Sequence, residues 1–140
     1  MRKNKPKTNK PNKIPLMPSE KKILKECRDL IKENPKVKNK GLNKIKDLNK
    51  RLYYIKVWII TESQPLRKLR NFKKRCFKGN GCHHLDHRVP ISKGFLDGIS
   101  PEKIGSIDNL RFIPWKKNIR KGSKMTEDSH RTLRKLKRKK

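Results

Sequence analysis

Asp86 and His87 stand side by side in the run His83-His84-Leu85-Asp86-His87-Arg88-Val89-Pro90, and Asp108-Asn109-Leu110 and Asn118-Ile119-Arg120-Lys121-Gly122 follow downstream. A carboxylate can hold a hard divalent cation, and a neutral imidazole can take a proton from water near neutral pH. The two asparagines, nine residues apart, add amide groups and a neutral oxygen donor, and a lysine lies just beyond. Together these are the parts needed to hydrolyse a phosphodiester with one bound divalent cation.

The remainder of the chain says what would bring a phosphodiester there. Forty-two Lys and Arg stand against twelve Asp and Glu in 140 residues, a formal net charge of +30. Such a chain repels itself unless a polyanion neutralises it, so a nucleic acid is the expected partner, duplex DNA first. An anionic membrane competes for that role, but no apolar stretch approaches the roughly 18 residues of a spanning helix. The basic N-terminus lacks the apolar core of a secretory signal, which implies a cytoplasmic protein that is not exported. With 31% hydrophobic residues, the expected core is small, enough for one compact domain and its arms.

Elements that could position the chemistry follow from periodicity. Residues 1–15 carry six Lys/Arg and three prolines and read as a disordered basic arm. Residues 16–64 read as a helical region. Ile23, Leu24, Cys27, Leu30 and Ile31 share one stripe, and Leu42, Ile45, Leu48, Leu52 and Ile55 form a second. The apolar run from Tyr53 to Ile60 fits either a buried helix end or a strand. Pro65 opens a third helical pattern with Leu66, Leu69, Phe72 and Cys76 inward. After the Gly79-Asn80-Gly81 turn the helical period stops. Residues 82–89 and 110–113 then read as short strands separated by a loop, Trp115 to Lys121 as a short helix stopped by Gly122, and residues 125–140 as a basic helix and tail capped by Thr126.

Asp86-His87-x-x-Pro90, then Asp108-Asn109-Leu110, then Asn118-x-x-Lys121-Gly122, resembles the signature of the HNH endonucleases, the ββα-metal or His-Me finger nucleases. The likeness covers residues 82–124 within an expected nuclease domain at 65–124. It implies an α+β fold: a small ββα-metal core, a helical N-terminal region and basic, partly disordered termini. The resemblance also assigns roles. His87 is the general base. Asp86 and Asn118 hold Mg²⁺ (or Mn²⁺). Strand alternation, not the resemblance, puts His84 on the same face as Asp86 and makes it a further candidate metal or scissile-phosphate contact. Asn109 pins the loop carrying the base. Lys121, with Arg120 and Lys117 as alternates, stabilises charge on the phosphate. For each a plainer role stays open: a salt bridge to an arginine for Asp86, an exposed helix position for Asn118, a DNA-backbone contact for the lysines, and solvent for His83.

Many members of that family fold around a zinc held by two Cys-x-x-Cys pairs. Here only Cys27, Cys76 and Cys82 are present, so no structural zinc is expected. The three are expected to be reduced thiols, with Cys76 and Cys82 as small core residues and Trp115 and Phe112 filling the space that zinc occupies elsewhere. Arg67, Lys68, Arg70, Lys73, Lys74, Arg88, Lys117 and Arg120 are the expected DNA contacts. The compact, Lys- and Asn-rich make-up suits a phage or mobile-element nuclease. The competing reading is a non-catalytic basic protein that binds nucleic acid and merely retains the fold.

Overall fold

The computed structural model describes residues 15–139, so the arm expected at 1–15 lies almost wholly outside the described residues. Within them the chain is α+β: six α-helices, several single 3-10 turns and one two-stranded antiparallel sheet.

Helix α1, Pro18–Glu33, buries Cys27 and packs Ile23, Leu30 and Ile31 against Leu42 and Ile55. The second apolar stripe is split. Leu42–Lys44 is a 3-10 turn, and helix α2, Leu48–Ser63, starts only where Asp47 accepts a cap hydrogen bond from the Lys50 amide (3.1 Å). It then continues through Tyr53 to Ile60, which settles that run as helix. The third helical pattern does not form. Leu66–Lys68 and Phe72–Lys74 are separate 3-10 turns divided by Asn71, whose φ of 67° is left-handed. A helix there would stack Arg67, Arg70 and Lys74 at adjacent turns, and such like-charge pairs oppose it. Leu66, Leu69 and Phe72 nonetheless reach the core, packing on Leu85, Leu110 and Phe112.

Strands β1, His83–His87, and β2, Leu110–Pro114, pair so that Asp86 lies opposite Arg111 and His87 opposite Leu110. The connection between them is more ordered than the expected loop. It contains short helices α3, Ile91–Leu96, and α4, Pro101–Ile104, the latter begun by proline in its first turn. Both sit tightly on α2. A Cβ on Gly94 would collide with the Tyr53 hydroxyl, and one on Gly105 would come within 2.9 Å of the Val57 carbonyl. These glycines let α2 approach the β1–β2 connection closely. Helix α5, Trp115–Lys121, ends at Gly122, whose φ is 51°. Helix α6, Glu127–Arg138, is capped by Thr126 and buries Leu133 and Leu136 with Val57, Val89 and Ile104. Trp58 packs against all three apolar clusters, so α2 is joined to the strands and to both ends of the described chain.

The cysteines differ from expectation. Cys76 and Cys82 are joined by a disulfide, and Cys27 alone is free. The Gly79-Asn80-Gly81 turn returns the backbone on itself, and the Cys76 amide donates to the His83 carbonyl (3.3 Å), which brings the two side chains together. Compartment arguments could not see that local geometry. Phe112 lies in the core, but Trp115 is only half-buried and belongs to none of the three clusters.

Candidate active site

Alternation along β1 sends Asp86 and His87 to opposite faces, and each face is built by a different helix. On the His87 face, α2 supplies Thr61 and Trp58. The Thr61 hydroxyl lies 2.7 Å from the Val57 carbonyl and 2.9 Å from His87 Nε2. A carbonyl can only accept, so the single hydroxyl proton goes to Val57, and Nε2 must carry the proton it donates to Thr61 Oγ1. The ring is thereby fixed as the Nε2–H tautomer, with the lone pair on Nδ1. Nδ1 has no protein partner, and no fully enclosed side-chain nitrogen or oxygen among the described residues lacks one, so Nδ1 keeps solvent contact. Trp58 stands edge-to-face on the ring, with centroids 4.9 Å apart. Burial pushes the His87 pKa down to about 3, and the Lys121 and Lys40 ammonium groups push the same way. Burial is the larger cause, and the positive charge nearby the smaller.

The Asp86 face is ionic. Asp86 is only 5% exposed. Its Oδ1 accepts from Lys121 Nζ (2.8 Å) and its Oδ2 from Arg111 Nε (2.9 Å). The salt bridge left open as the plainer role of Asp86 is therefore present, twice over. Lys121 also donates to the carbonyls of His87 (2.8 Å) and Arg88 (3.3 Å). A lysine has three N–H donors, and these three acceptors use them all. Buried in this way, Lys121 ties α5 to the end of β1, and its donors are engaged with protein in place of the phosphate contact that the sequence led us to expect. Arg111 continues the network to Asp128 (3.3 Å), which also holds Arg88 (2.9 Å).

Asn118 and His84 meet on the same side. His84 Nε2–H donates to the Phe77 carbonyl (2.6 Å), which leaves Nδ1 to accept from the Asn118 amide (3.2 Å). Both ring nitrogens of His84 are thus engaged with protein, and its place here is to orient Asn118, not to ligate. The Asn118 Oδ1 has no partner among the described residues. Asn109, fully buried, donates to the carbonyls of Val89 (3.1 Å) and Ile104 (2.8 Å) and accepts from the Val89 amide (2.8 Å). It clamps the segment leaving β1 to the end of α4.

Asp86, His87 and Asn118 line one cavity of about 240 Å³, with Tyr54, Trp58 and Pro90 on its walls. Lys117 and Arg120 are exposed on α5, and Arg67, Lys68, Arg70, Lys73 and Lys74 are exposed on the turns after α2. Arg88 is not free in the same way, because Asp128 holds it.

Sequence reasoning missed Thr61, Trp58 and Arg111. Arg111 carried a signal, since it lies directly across the sheet from Asp86 and opposite charges favour that position. Thr61 and Trp58 lie outside the motif and carried none. No family model, curated protein or solved structure matches the chain.

Proposed function

We propose that this chain is a divalent-metal-dependent endonuclease of the HNH type that hydrolyses phosphodiester bonds of DNA, with His87 as general base. The observation that carries this reading is the His87 ring: neutral, locked as the Nε2–H tautomer, with its Nδ1 lone pair uncommitted beside a cavity shared with Asp86 and Asn118. A water in that cavity can lose its proton to Nδ1 as it attacks phosphorus.

The donor set suits Mg²⁺ or Mn²⁺. Asn118 Oδ1 is free among the described residues, and each Asp86 oxygen, holding one cation, retains a second lone pair. When bound, the ion would polarise the phosphate and neutralise the leaving oxygen. The chain's own residues do the rest. His84 fixes the Asn118 amide so that its oxygen is presented, Lys121 and Arg111 hold the Asp86 carboxylate in place, and Asn109 holds the end of the strand that carries the base.

Duplex DNA is the partner that the charge favours, gripped by Lys117 and Arg120 beside the cavity and by Arg67, Lys68, Arg70, Lys73 and Lys74 on the flanking turns. No helix among the described residues is long and apolar enough to cross a membrane. We place the enzyme in the cytoplasm, where such DNA would be met.

A second reading has one observation in its favour. Two cations already neutralise Asp86, as they would in a DNA-binding protein that kept the fold and lost the metal. Supercoiled plasmid with Mg²⁺, an EDTA control and the His87→Ala variant separates the two. Metal-dependent conversion to nicked circles, lost in the variant, upholds the nuclease. Gel shifts without cutting, in Mg²⁺ and in Mn²⁺, would leave only the binding protein.

A further inference from the structure

The seven residues from Cys76 to Cys82 form a loop whose backbone is held at several points. The disulfide closes it, the Cys82 amide donates to Gly79 (3.0 Å), and His83 Nδ1 meets the Gly81 carbonyl (2.9 Å). Gly79 and Gly81 take φ of 125° and 78°, a backbone path that other residues rarely follow. Yet this well-held loop leaves its one large apolar side chain, Phe77, 89% exposed.

Two further facts decide what such a side chain meets. The Phe77 carbonyl and the Asn118 amide bind opposite nitrogens of the single His84 ring, so the loop stands one imidazole away from the candidate site. Flanking Phe77 in the chain, Lys73, Lys74 and Lys78 are exposed and enter no ion pair among the described residues. A protein-binding patch would group several apolar residues; a lone ring set among lysines suits a polyanion that also has flat apolar faces. Nucleic-acid bases stack on aromatic side chains once they leave their own stack, and the lysines would follow the backbone.

We infer that Phe77 is a stacking platform for an unpaired base beside the cutting site, so that the favoured substrate is DNA with an unpaired or unstacked nucleotide near the scissile phosphate. This rests on the nucleic-acid reading above and names its substrate class. Closed by the disulfide and tied to Asn118 through His84, the loop holds the Phe77 backbone near the candidate site and leaves the ring in solvent. Fully paired duplex would meet only the lysines.

The test is equilibrium binding in EDTA, where no cutting occurs, to two labelled duplexes of equal length. One is fully paired; the other carries a single bulged fluorescent purine analogue whose emission falls on stacking. Wild type should bind the bulged duplex more tightly and quench the analogue. Phe77→Ala should weaken that complex roughly five- to a hundredfold, the range found for loss of one base–aromatic stack, and abolish the quench. Its affinity for paired duplex should stay unchanged, and Phe77→Trp should keep both effects. Equal affinity of wild type for the two duplexes, or an undiminished preference in Phe77→Ala, overturns the inference even if plasmid is nicked. A Phe77-dependent preference in a protein that never cuts upholds the platform and sinks the nuclease.

Discussion

Asp86 and His87 are adjacent in the chain and stand in opposite environments. Asp86 lies in an ionic network of Lys121, Arg111, Asp128 and Arg88, where every carboxylate oxygen has a cationic partner. His87 lies in a dry slot of Trp58 and Thr61, where burial keeps the ring neutral and only Nδ1 reaches cavity solvent. The difference shows how one strand can serve two chemistries. Alternation hands one side chain to α5 and the next to α2, so charge can be concentrated on one face without protonating the base on the other. The ionic face is built from residues of the motif and α6, whereas the dry face depends on a helix more than twenty residues upstream of the base.

The strongest way to break the contrast is to remove the base. His87→Ala should lower single-turnover nicking by about 10²–10⁴-fold, the usual worth of a positioned general base, with DNA affinity unchanged. Undiminished nicking would remove His87 from the chemistry. On the ionic face, Lys121→Met should cost on the order of 3 kcal/mol of unfolding free energy in EDTA, because it removes one partner of a buried pair and takes a donor from the His87 carbonyl, while the Arg88 carbonyl keeps the Ser129 hydroxyl. Mg²⁺ should stabilise both proteins by binding the folded state, and the variant by more, since a cation can then also occupy the vacated side of Asp86. Urea melts with and without Mg²⁺ check this; equal stability of variant and wild type would make Lys121 a bystander.

These two residues also mark what a reader of the sequence can and cannot see. The strands and the short helix after them were legible, because turn residues and apolar alternation act locally; the pinning amide of Asn109, which reaches Val89 twenty residues away, was expected from the resemblance alone. The pairings were not. Lys121 reads as a phosphate contact until β1 is placed beside α5, whereupon its ammonium finds three oxygens within the protein. The basic stretch after Pro65 has a helical stripe, but its repelling charges and the left-handed Asn71 divide it into turns. The slot around His87 was invisible for another reason. It requires α2 to come within glycine distance of α3 and α4, a tertiary fact with no local mark beyond Gly94 and Gly105.

Protonation offers a smaller and more specific probe of the dry face. His87 titrates near 3 in the folded chain and near 6.5, the ordinary value, when unfolded. The unfolded state therefore binds more protons between these limits, so stability rises with pH there. The contribution is complete above about pH 6.5 and is lost as pH falls toward 3. In EDTA, wild type should lose about 2 kcal/mol of unfolding free energy between pH 6.5 and 5 from this group, above the range where most carboxylates titrate. His87→Ala should lack that slope. Equal slopes for the two proteins would mean that the ring is hydrated in the folded state.

The finest test replaces one hydroxyl. Thr61→Val keeps the branched shape and removes the acceptor of the His87 Nε2 proton. Two outcomes are open to the ring. It can keep that proton buried without a partner, or move it to Nδ1, where cavity solvent can accept it. The second is the cheaper, and it consumes the lone pair that would take a proton from water. Nicking should fall roughly tenfold or more, the worth of one buried hydrogen bond, with DNA affinity unchanged. Thr61→Ser should restore it. Imidazole nitrogen chemical shifts distinguish the tautomers directly, so a purely structural role, which would lower the melting temperature without moving those shifts, is separable from the positioning role. If the Val variant keeps the Nε2–H tautomer and the full rate, the orientation of the base comes from Trp58 packing alone, and the dry face works by shape instead of by hydrogen bond.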